Sequence, residues 1–178
     1  MKVTFNGWLS GVRRVVSPNF DRRPSGAGID LLVIHNISLP PEQFNGSGIE
    51  KFFTNQLDSD AHPYYAQLKD VHVSSHFLIR RDGGIVQFVP CAKRAWHAGV
   101  SSWQGRSRCN DFSIGIELEG SDYVPFTERQ YAALARLTRR LQRAYPIRSI
   151  AGHSDIAPVR KTDPGPHFDW PRYRAALK

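Results

Sequence analysis

Two of the seven histidines follow short apolar segments, where α/β sheets often present ligand-binding groups. His35 follows the run Leu-Leu-Val-Ile, and His153 follows Ile-Ala-Gly, in which the glycine permits a close backbone approach. Asp163 precedes a proline, which biases it towards an extended conformation. Two imidazoles and one carboxylate leave a fourth coordination position open, which is the ligand count of a catalytic zinc site. The three residues therefore predict a zinc centre.

The spacing of these residues leaves other interpretations open. No H-E-x-x-H pattern is present, and a lone histidine is usually structural or solvated. A Ser-His-Asp or Cys-His site using Cys91 or Cys109 is conceivable, but neither cysteine lies in a recognisable nucleophile motif. We expect both cysteines to stay reduced and to pack as small apolar residues.

The segment 113–119 alternates strictly and predicts a strand that carries two carboxylates on one face. Burying a carboxylate is costly unless it has a partner or a task. Glu117 is therefore the natural partner of the predicted zinc centre, and Glu119 shares its face. One of the two can instead pair with an arginine at the sheet edge, and the pattern does not decide which.

Further elements must position these groups, and their patterns predict an α/β domain with a mixed β-sheet flanked by helices. The apolar run before His35 is typical of a buried central strand. Two short strands around Asp82-Gly83-Gly84 indicate a hairpin, which must be antiparallel. We expect a helix from Thr127 to about Tyr145 with a capping box, a shorter one near Ile49 and another from about Trp170.

Composition favours one domain spanning residues 1–178, because the chain is of single-domain size and 40% hydrophobic. Its formal net charge is +8, but the basic residues are scattered and do not form a nucleic-acid face. No stretch approaches the roughly 20 apolar residues of a membrane span, and no apolar leader is visible. We expect a cytoplasmic protein with no nucleic-acid, membrane or obligate protein partner.

Long collinear blocks of the sequence resemble one known family. These blocks cover residues 17–20, 32–41, 75–83, 94–100, 109–120 and 152–170. They are similar to the cytoplasmic AmpD-type N-acetylmuramoyl-L-alanine amidases, of the superfamily that includes bacteriophage T7 lysozyme and the peptidoglycan recognition proteins. The resemblance implies that fold, with a central mixed sheet and flanking helices.

The resemblance also implies one zinc ion per chain, bound by His35, His153 and Asp163. Related phage and recognition-protein amidases have a cysteine where this chain has Asp163, and the carboxylate matches the cytoplasmic branch. Glu117 would move protons between water and the leaving amine, and Lys161 would stabilise the oxyanion.

The implied reaction is hydrolysis of the amide bond between the lactyl group of 1,6-anhydro-N-acetylmuramic acid and the L-alanine of its stem peptide, in peptidoglycan recycling. Arg108 could bind a stem-peptide carboxylate through two parallel hydrogen bonds, and Trp96 could pack on substrate or belong to the core. The family's substrate groove maps to Asn36, Tyr64, Trp96, His97 and Arg108.

Other functions stay open at this stage. Some superfamily members bind cell-wall peptides without cutting them, so a non-catalytic binding module is the alternative. A basic interaction protein and an amidase acting on intact cell wall are further candidates. His76 could be a pocket residue or a satisfied core histidine.

Overall fold

The computed structural model describes residues 2–178. Ten strands run over β1 (Arg13–Arg14), β2 (Phe20–Arg22), β3 (Leu31–Ile37), β4 (Phe77–Ile79), β5 (Ile85–Gln87), β6 (Lys93–Ala95), β7 (Ser102–Trp103), β8 (Arg106–Ser107), β9 (Ser113–Glu119) and β10 (Ser149–Gly152). Five helices cover α1 (Gly48–Phe53), α2 (Pro63–Ala66), α3 (Glu128–Ala144), α4 (His153–Ile156) and α5 (Trp170–Ala175), and Cys109–Asp111 forms a 3-10 turn.

The main sheet has six strands in the order β1-β5-β4-β9-β3-β10. All neighbouring pairs are parallel except β4 and β5, so the sheet is mixed, which confirms the predicted fold class. The antiparallel pair is the predicted hairpin. In its turn Gly83 has a φ of 84°, and the Asp82 carboxylate accepts a hydrogen bond of 2.8 Å from the Gly84 N–H.

The two faces of the sheet differ in chemistry. Ile114, Ile116 and Leu118 of β9 pack in one cluster with the apolar stripe of α3, as the alternation predicts. The opposite face of β9 carries the residues between them, including Gly115 and Glu117. This second face holds the polar groups of the candidate site.

Helix α3 confirms the predicted capping box. The Thr127 hydroxyl accepts a hydrogen bond from the Gln130 N–H at 3.1 Å, and the Gln130 side chain accepts one from the Thr127 N–H at 3.0 Å. The helix ends at Ala144, two residues before Pro146, which cannot donate a backbone hydrogen bond. The predicted helices near Ile49 and from Trp170 are α1 and α5.

Several short elements were not predicted from the sequence. These are the edge strand β1, the antiparallel pairs β2–β6 and β7–β8, and the one-turn helices α2 and α4. None exceeds four residues, and so short a segment carries almost no periodic signal.

Cys91 and Cys109 are free and fully buried, which confirms the prediction that they pack as small apolar residues. Burial raises the pKa of the Cys91 thiol to about 12, so it stays protonated at neutral pH. Neither cysteine is placed to act as a nucleophile. Within residues 2–178, no helix combines the length and the apolar character needed to cross a membrane.

Candidate metal centre

The structure brings the three predicted metal ligands together. His35 Nδ1 lies 3.0 Å from His153 Nδ1 and 2.9 Å from Asp163 Oδ2, and His153 Nδ1 lies 3.1 Å from the same oxygen. The three potential ligand atoms thus form a nearly equilateral triangle. His35 and His153 are buried, and Asp163 is partly exposed.

This triangle fits a zinc ion. Tetrahedral bonds of about 2.0–2.2 Å would set ligand atoms roughly 3.3–3.6 Å apart, so the 2.9–3.1 Å triangle would need to widen by only a few tenths of an ångström. Hydrogen bonding alone fits less well, because if both imidazoles donated to Asp163 their Nδ1 protons would face each other across 3.0 Å. Two imidazole nitrogens and a carboxylate oxygen are also ligands that zinc accepts.

Sheet register explains how His35 and His153 meet. Strand β10 pairs with β3 in parallel, with Gly152 opposite Ile34. The residue that follows each of these two in the chain is a histidine, His153 and His35. The two imidazoles meet edge to face with ring centroids 4.5 Å apart. His153 opens α4, and its Nε2 donates to the Ala98 carbonyl at 3.2 Å.

Asp163 reaches the same edge through a loop that packs on Gly152. A Cβ at Gly152 would lie 2.7 Å from the Pro164 ring, so a larger residue would push this loop away. The Asp163 carbonyl accepts a hydrogen bond of 2.9 Å from the Ser154 N–H. Burial would raise the pKa of the Asp163 carboxyl, but the hydrogen bonds from His153 and His35 outweigh it and hold this pKa well below its usual value.

Glu117 lies beside His35, because β3 and β9 are parallel and in register at these two residues. Its side chain is only 7% exposed and makes no hydrogen bond within residues 2–178. Burial and the nearby Asp163 carboxylate raise its pKa well above the usual value, and Lys161 opposes this. A carboxyl with a raised pKa is suited to proton transfer near neutral pH.

These residues line one cavity of about 410 Å³. Its polar end holds the three ligands, Glu117 and Lys161. The apolar part of the cavity wall could not be predicted from the sequence. Its residues come from α1, from the segment before α1 and from the segment after α2. This wall contains Leu39, Pro41, Phe52, Phe53, Leu68, Val71 and Val73.

Residues 25–166 match the family model described as N-acetylmuramoyl-L-alanine amidase. The chain belongs to this family. It is 59% identical over 173 residues to the 1,6-anhydro-N-acetylmuramyl-L-alanine amidase AmpD of Salmonella typhimurium strain SL1344, covering 96% of this chain and 92% of the relative.

Solved structures give the same assignment. A crystal structure of a selenomethionine AmpD derivative matches with a TM-score of 0.97 and 57% identity, covering both chains completely. The Escherichia coli amidase AmiD, in complex with the substrate anhydro-N-acetylmuramic acid-L-Ala-D-gamma-Glu-L-Lys, matches with a TM-score of 0.61 and 35% identity over 87% of this chain and 60% of that one. The protein is thus an AmpD-type N-acetylmuramoyl-L-alanine amidase, which confirms the resemblance found in the sequence.

Four of the five predicted groove residues of this amidase line the cavity, namely Asn36, Tyr64, Trp96 and His97. Arg108 does not. Its side chain is 70% exposed and pairs with Asp111 at 3.3 Å. Contact of any of these residues with substrate stays a prediction.

Glu119 has a different environment from Glu117, although both lie on the same face of β9. It accepts hydrogen bonds from the Asn45 N–H at 2.7 Å, from Arg80 at 2.9 Å and from the Arg81 N–H at 3.1 Å. Glu119 is therefore the carboxylate that pairs with an arginine.

His76 is a satisfied core histidine and does not line the cavity. Its Nδ1 accepts a hydrogen bond of 3.1 Å from the Gly115 N–H, which leaves Nε2 to donate to the Lys93 carbonyl at 3.1 Å. Burial, with a smaller contribution from Arg23, lowers the pKa of His76 to about 3. The ring is consequently neutral at physiological pH.

Proposed function

We propose that this amidase hydrolyses the bond between the lactyl group of 1,6-anhydro-N-acetylmuramic acid and the L-alanine of its stem peptide, in a zinc-dependent reaction. The main support is the triangle of His35, His153 and Asp163, which opens into the same cavity as Glu117 and Lys161. The AmpD relative carries the corresponding activity in its name.

His35, His153 and Asp163 would hold one zinc ion per chain, in the cavity that Glu117 and Lys161 also line. A zinc ion bound there would act as a Lewis acid, polarising the scissile carbonyl and making water more acidic. In the metal-free site the pKa of the Asp163 carboxyl already lies below its usual value, so Asp163 is ionised at neutral pH and available as a ligand.

Glu117 would accept the proton of the attacking water and then deliver it to the leaving amine of L-alanine. Its burial without a hydrogen-bond partner favours this assignment, because a structural carboxylate at this depth would be paired. Its raised pKa makes the ionised Glu117 a stronger base towards water. The same raised pKa lets Glu117 keep the proton until it is transferred to the leaving amine.

Lys161 would stabilise the negative charge that develops on the carbonyl oxygen. It lines the cavity and interacts electrostatically with Glu117. A cation in a partly water-excluded site stabilises such a charge more strongly than one in bulk water.

Substrate would occupy the rest of the cavity. Asn36 donates its amide to Asp122 at 2.7 Å, which fixes the side chain and leaves its oxygen free to accept a hydrogen bond from substrate. The Trp96 carbonyl accepts a hydrogen bond from the Ser74 N–H, and the Trp96 N–H donates to the Ser74 hydroxyl, both at 3.1 Å. Trp96 and Tyr64 both line the cavity and would offer aromatic faces to a sugar or peptide. Arg108 remains available for the carboxylates of the stem peptide.

The proposal includes a muropeptide as the small-molecule substrate and cytoplasmic recycling of cell-wall fragments as the setting. The complex of AmiD with an anhydromuramoyl peptide supports the substrate class. Cell fractionation followed by immunodetection tests the cytoplasmic location.

The decisive experiment is mass spectrometry of the products from anhydro-N-acetylmuramic acid-L-Ala-D-gamma-Glu-L-Lys. We expect free peptide and 1,6-anhydro-N-acetylmuramic acid, loss of activity after chelation and recovery on adding zinc. A muropeptide that carries intact muramic acid is the comparison substrate, and slower cleavage of it would support the proposed preference for the anhydro sugar. Stoichiometric zinc without turnover of either substrate would refute hydrolysis and favour the binding-module alternative.

A further inference from the structure

We infer that the segment His97–Ala98 positions both histidine ligands, with His97 acting as a positioning residue for His35. The inference rests on the proposed zinc site but extends beyond its ligands. It also changes the role expected of His97, from contact with substrate to control of the metal centre.

The Nε2 atoms of His35 and His153, the ring nitrogens not offered to the metal, are both hydrogen-bonded to this segment. His35 Nε2 lies 3.0 Å from His97 Nδ1, and His153 Nε2 lies 3.2 Å from the Ala98 carbonyl oxygen. Metal-binding histidines generally donate this second N–H to an oxygen acceptor, which fixes the tautomer and the ring orientation. Here one acceptor is a backbone carbonyl, as usual, and the other is a third imidazole.

The tautomers follow from one another. If His35 offers Nδ1 to a metal, its proton is on Nε2, and His97 must accept that proton through an unprotonated Nδ1. His97 then carries its own proton on Nε2, which lies 3.2 Å from the Ser113 hydroxyl oxygen and donates to it. With His35 bound to a metal through Nδ1, only the neutral Nε2–H tautomer of His97 satisfies both contacts.

The backbone of this segment is anchored independently of the ligands. The amide oxygen of Asn110 accepts hydrogen bonds from the His97 N–H at 3.1 Å and from the Ala98 N–H at 2.8 Å. Arg160 also donates to the Ala98 carbonyl at 2.9 Å. The two acceptors for the ligand histidines are therefore held at a fixed separation.

Strand β9 provides the space for the His97 ring at Gly115. A Cβ on Gly115 would lie 2.6 Å from Cγ and 2.7 Å from Nδ1 of His97, well inside contact distance. Both are ring atoms close to the His97 backbone, so the imidazole would have to rotate away. Gly115→Ala thus displaces His97 without altering its chemistry.

The test measures zinc affinity by competition with a chromogenic chelator, using the purified full-length protein. His97→Phe keeps a ring but removes both nitrogens, and we expect zinc binding about 10–100-fold weaker. His97→Asn places an amide oxygen near the position of Nδ1 and should recover affinity to within about fivefold of the wild type. His72→Phe is the matched control, because this exposed histidine hydrogen-bonds to Asn55, does not line the cavity of the proposed zinc site and should leave zinc affinity unchanged.

Gly115→Ala provides a second test, should His97→Phe fail to fold in circular dichroism. We expect Gly115→Ala to weaken zinc binding as well. In the double variant Gly115→Ala/His97→Asn, the loss of zinc-binding free energy should be smaller than the sum of the losses in the two single variants.

The outcomes separate this inference from the proposed function. Wild-type protein that binds no zinc would refute the zinc site itself. Wild-type protein that binds zinc, with His97→Phe or Gly115→Ala within about twofold of its affinity, would overturn only the positioning role. If His97→Phe then raised KM alone, His97 would be a substrate contact.

Discussion

Glutamine at Glu117 or at Glu119 makes the same chemical change two residues apart on β9, with opposite expected consequences. Both carboxylates are at least nine-tenths buried and face the same side of the sheet. Glu117 has no hydrogen-bond partner within residues 2–178, whereas Glu119 accepts three. We expect Glu117→Gln to remove activity and Glu119→Gln to remove stability.

The cost of Glu119→Gln follows from its contacts. Its carboxylate forms a salt bridge with Arg80 at 2.9 Å and ties the backbone at Asn45 and Arg81 to the sheet. Glutamine keeps one acceptor oxygen but places an N–H where the other was and removes the charge. Arg80 retains a partner in Glu50, so the loss is one charge-assisted bond and one backbone bond, about 2–3 kcal/mol. For a chain of this size the Tm would fall by roughly 5–10 °C.

Glu117→Gln removes a buried carboxylate that has no hydrogen-bond partner within residues 2–178 and is balanced only by the nearby charge of Lys161, so the Tm of the zinc-saturated protein should stay within about 2 °C of wild type. The turnover rate should fall by at least about 100-fold, the usual lower range for loss of a general acid-base group. Zinc content should remain stoichiometric, because all three proposed ligands are unchanged.

The assay combines thermal unfolding by circular dichroism with kcat on the anhydromuramoyl peptide, at equal zinc content and well below each Tm. Under these conditions Glu119→Gln should keep kcat within about threefold of wild type. The reasoning would be wrong if Glu117→Gln turned over normally, or if Glu119→Gln unfolded like wild type but lost its chemistry. The second result would make Glu119 the base.

Three further predictions follow from the same structure. Zinc at about 100 times its Kd should stabilise the wild type by about 2.7 kcal/mol in thermal unfolding, whereas Asp163→Ala should show no such rise. His76 titrates near pH 3 when folded and near 6.5 when unfolded, so the unfolded state binds more protons and stability falls as pH drops below about 6.5. At pH 5 the free energy of unfolding of the metal-free wild type, measured with urea, should be about 2 kcal/mol lower than at neutral pH because of His76. His76→Gln should not show this part of the loss. Parallel pH profiles of unfolding free energy for the two proteins would contradict the prediction. Thr127→Ala breaks the capping box of α3 and should lower the Tm by roughly 2–4 °C, about 1 kcal/mol, and an unchanged Tm would show that the cap contributes nothing.

The sequence revealed those parts of the site that depend on regular periodicity. Alternation in 113–119 assigned the faces of β9 correctly, and the apolar run before His35 identified a buried interior strand. The capping box located the start of α3. In each case the deciding contacts are local, so a pattern of a few residues carries the information.

The environment of a side chain could not be predicted from the sequence where it depends on residues that are distant in the chain. Nothing near Glu119 in sequence distinguishes it from Glu117, because its partners Arg80 and Asn45 lie far away in the chain. Arg108, which its block maps to the family's groove, is exposed outside the cavity and pairs with Asp111, and its contact with substrate stays a prediction. The apolar wall of the cavity was also missed, since it forms only when α1 packs beside the sheet.

Two glycines mark where the loops meet the sheet to complete the site. Gly152 makes room for the Pro164 ring and so for Asp163, and Gly115 makes room for the imidazole of His97. Neither glycine has a positive φ, so turn geometry does not require them. They are needed because a strand beside a metal centre must let a second layer of rings approach its backbone closely. A glycine within a strand that otherwise alternates can therefore indicate where a ligand-positioning loop will pack.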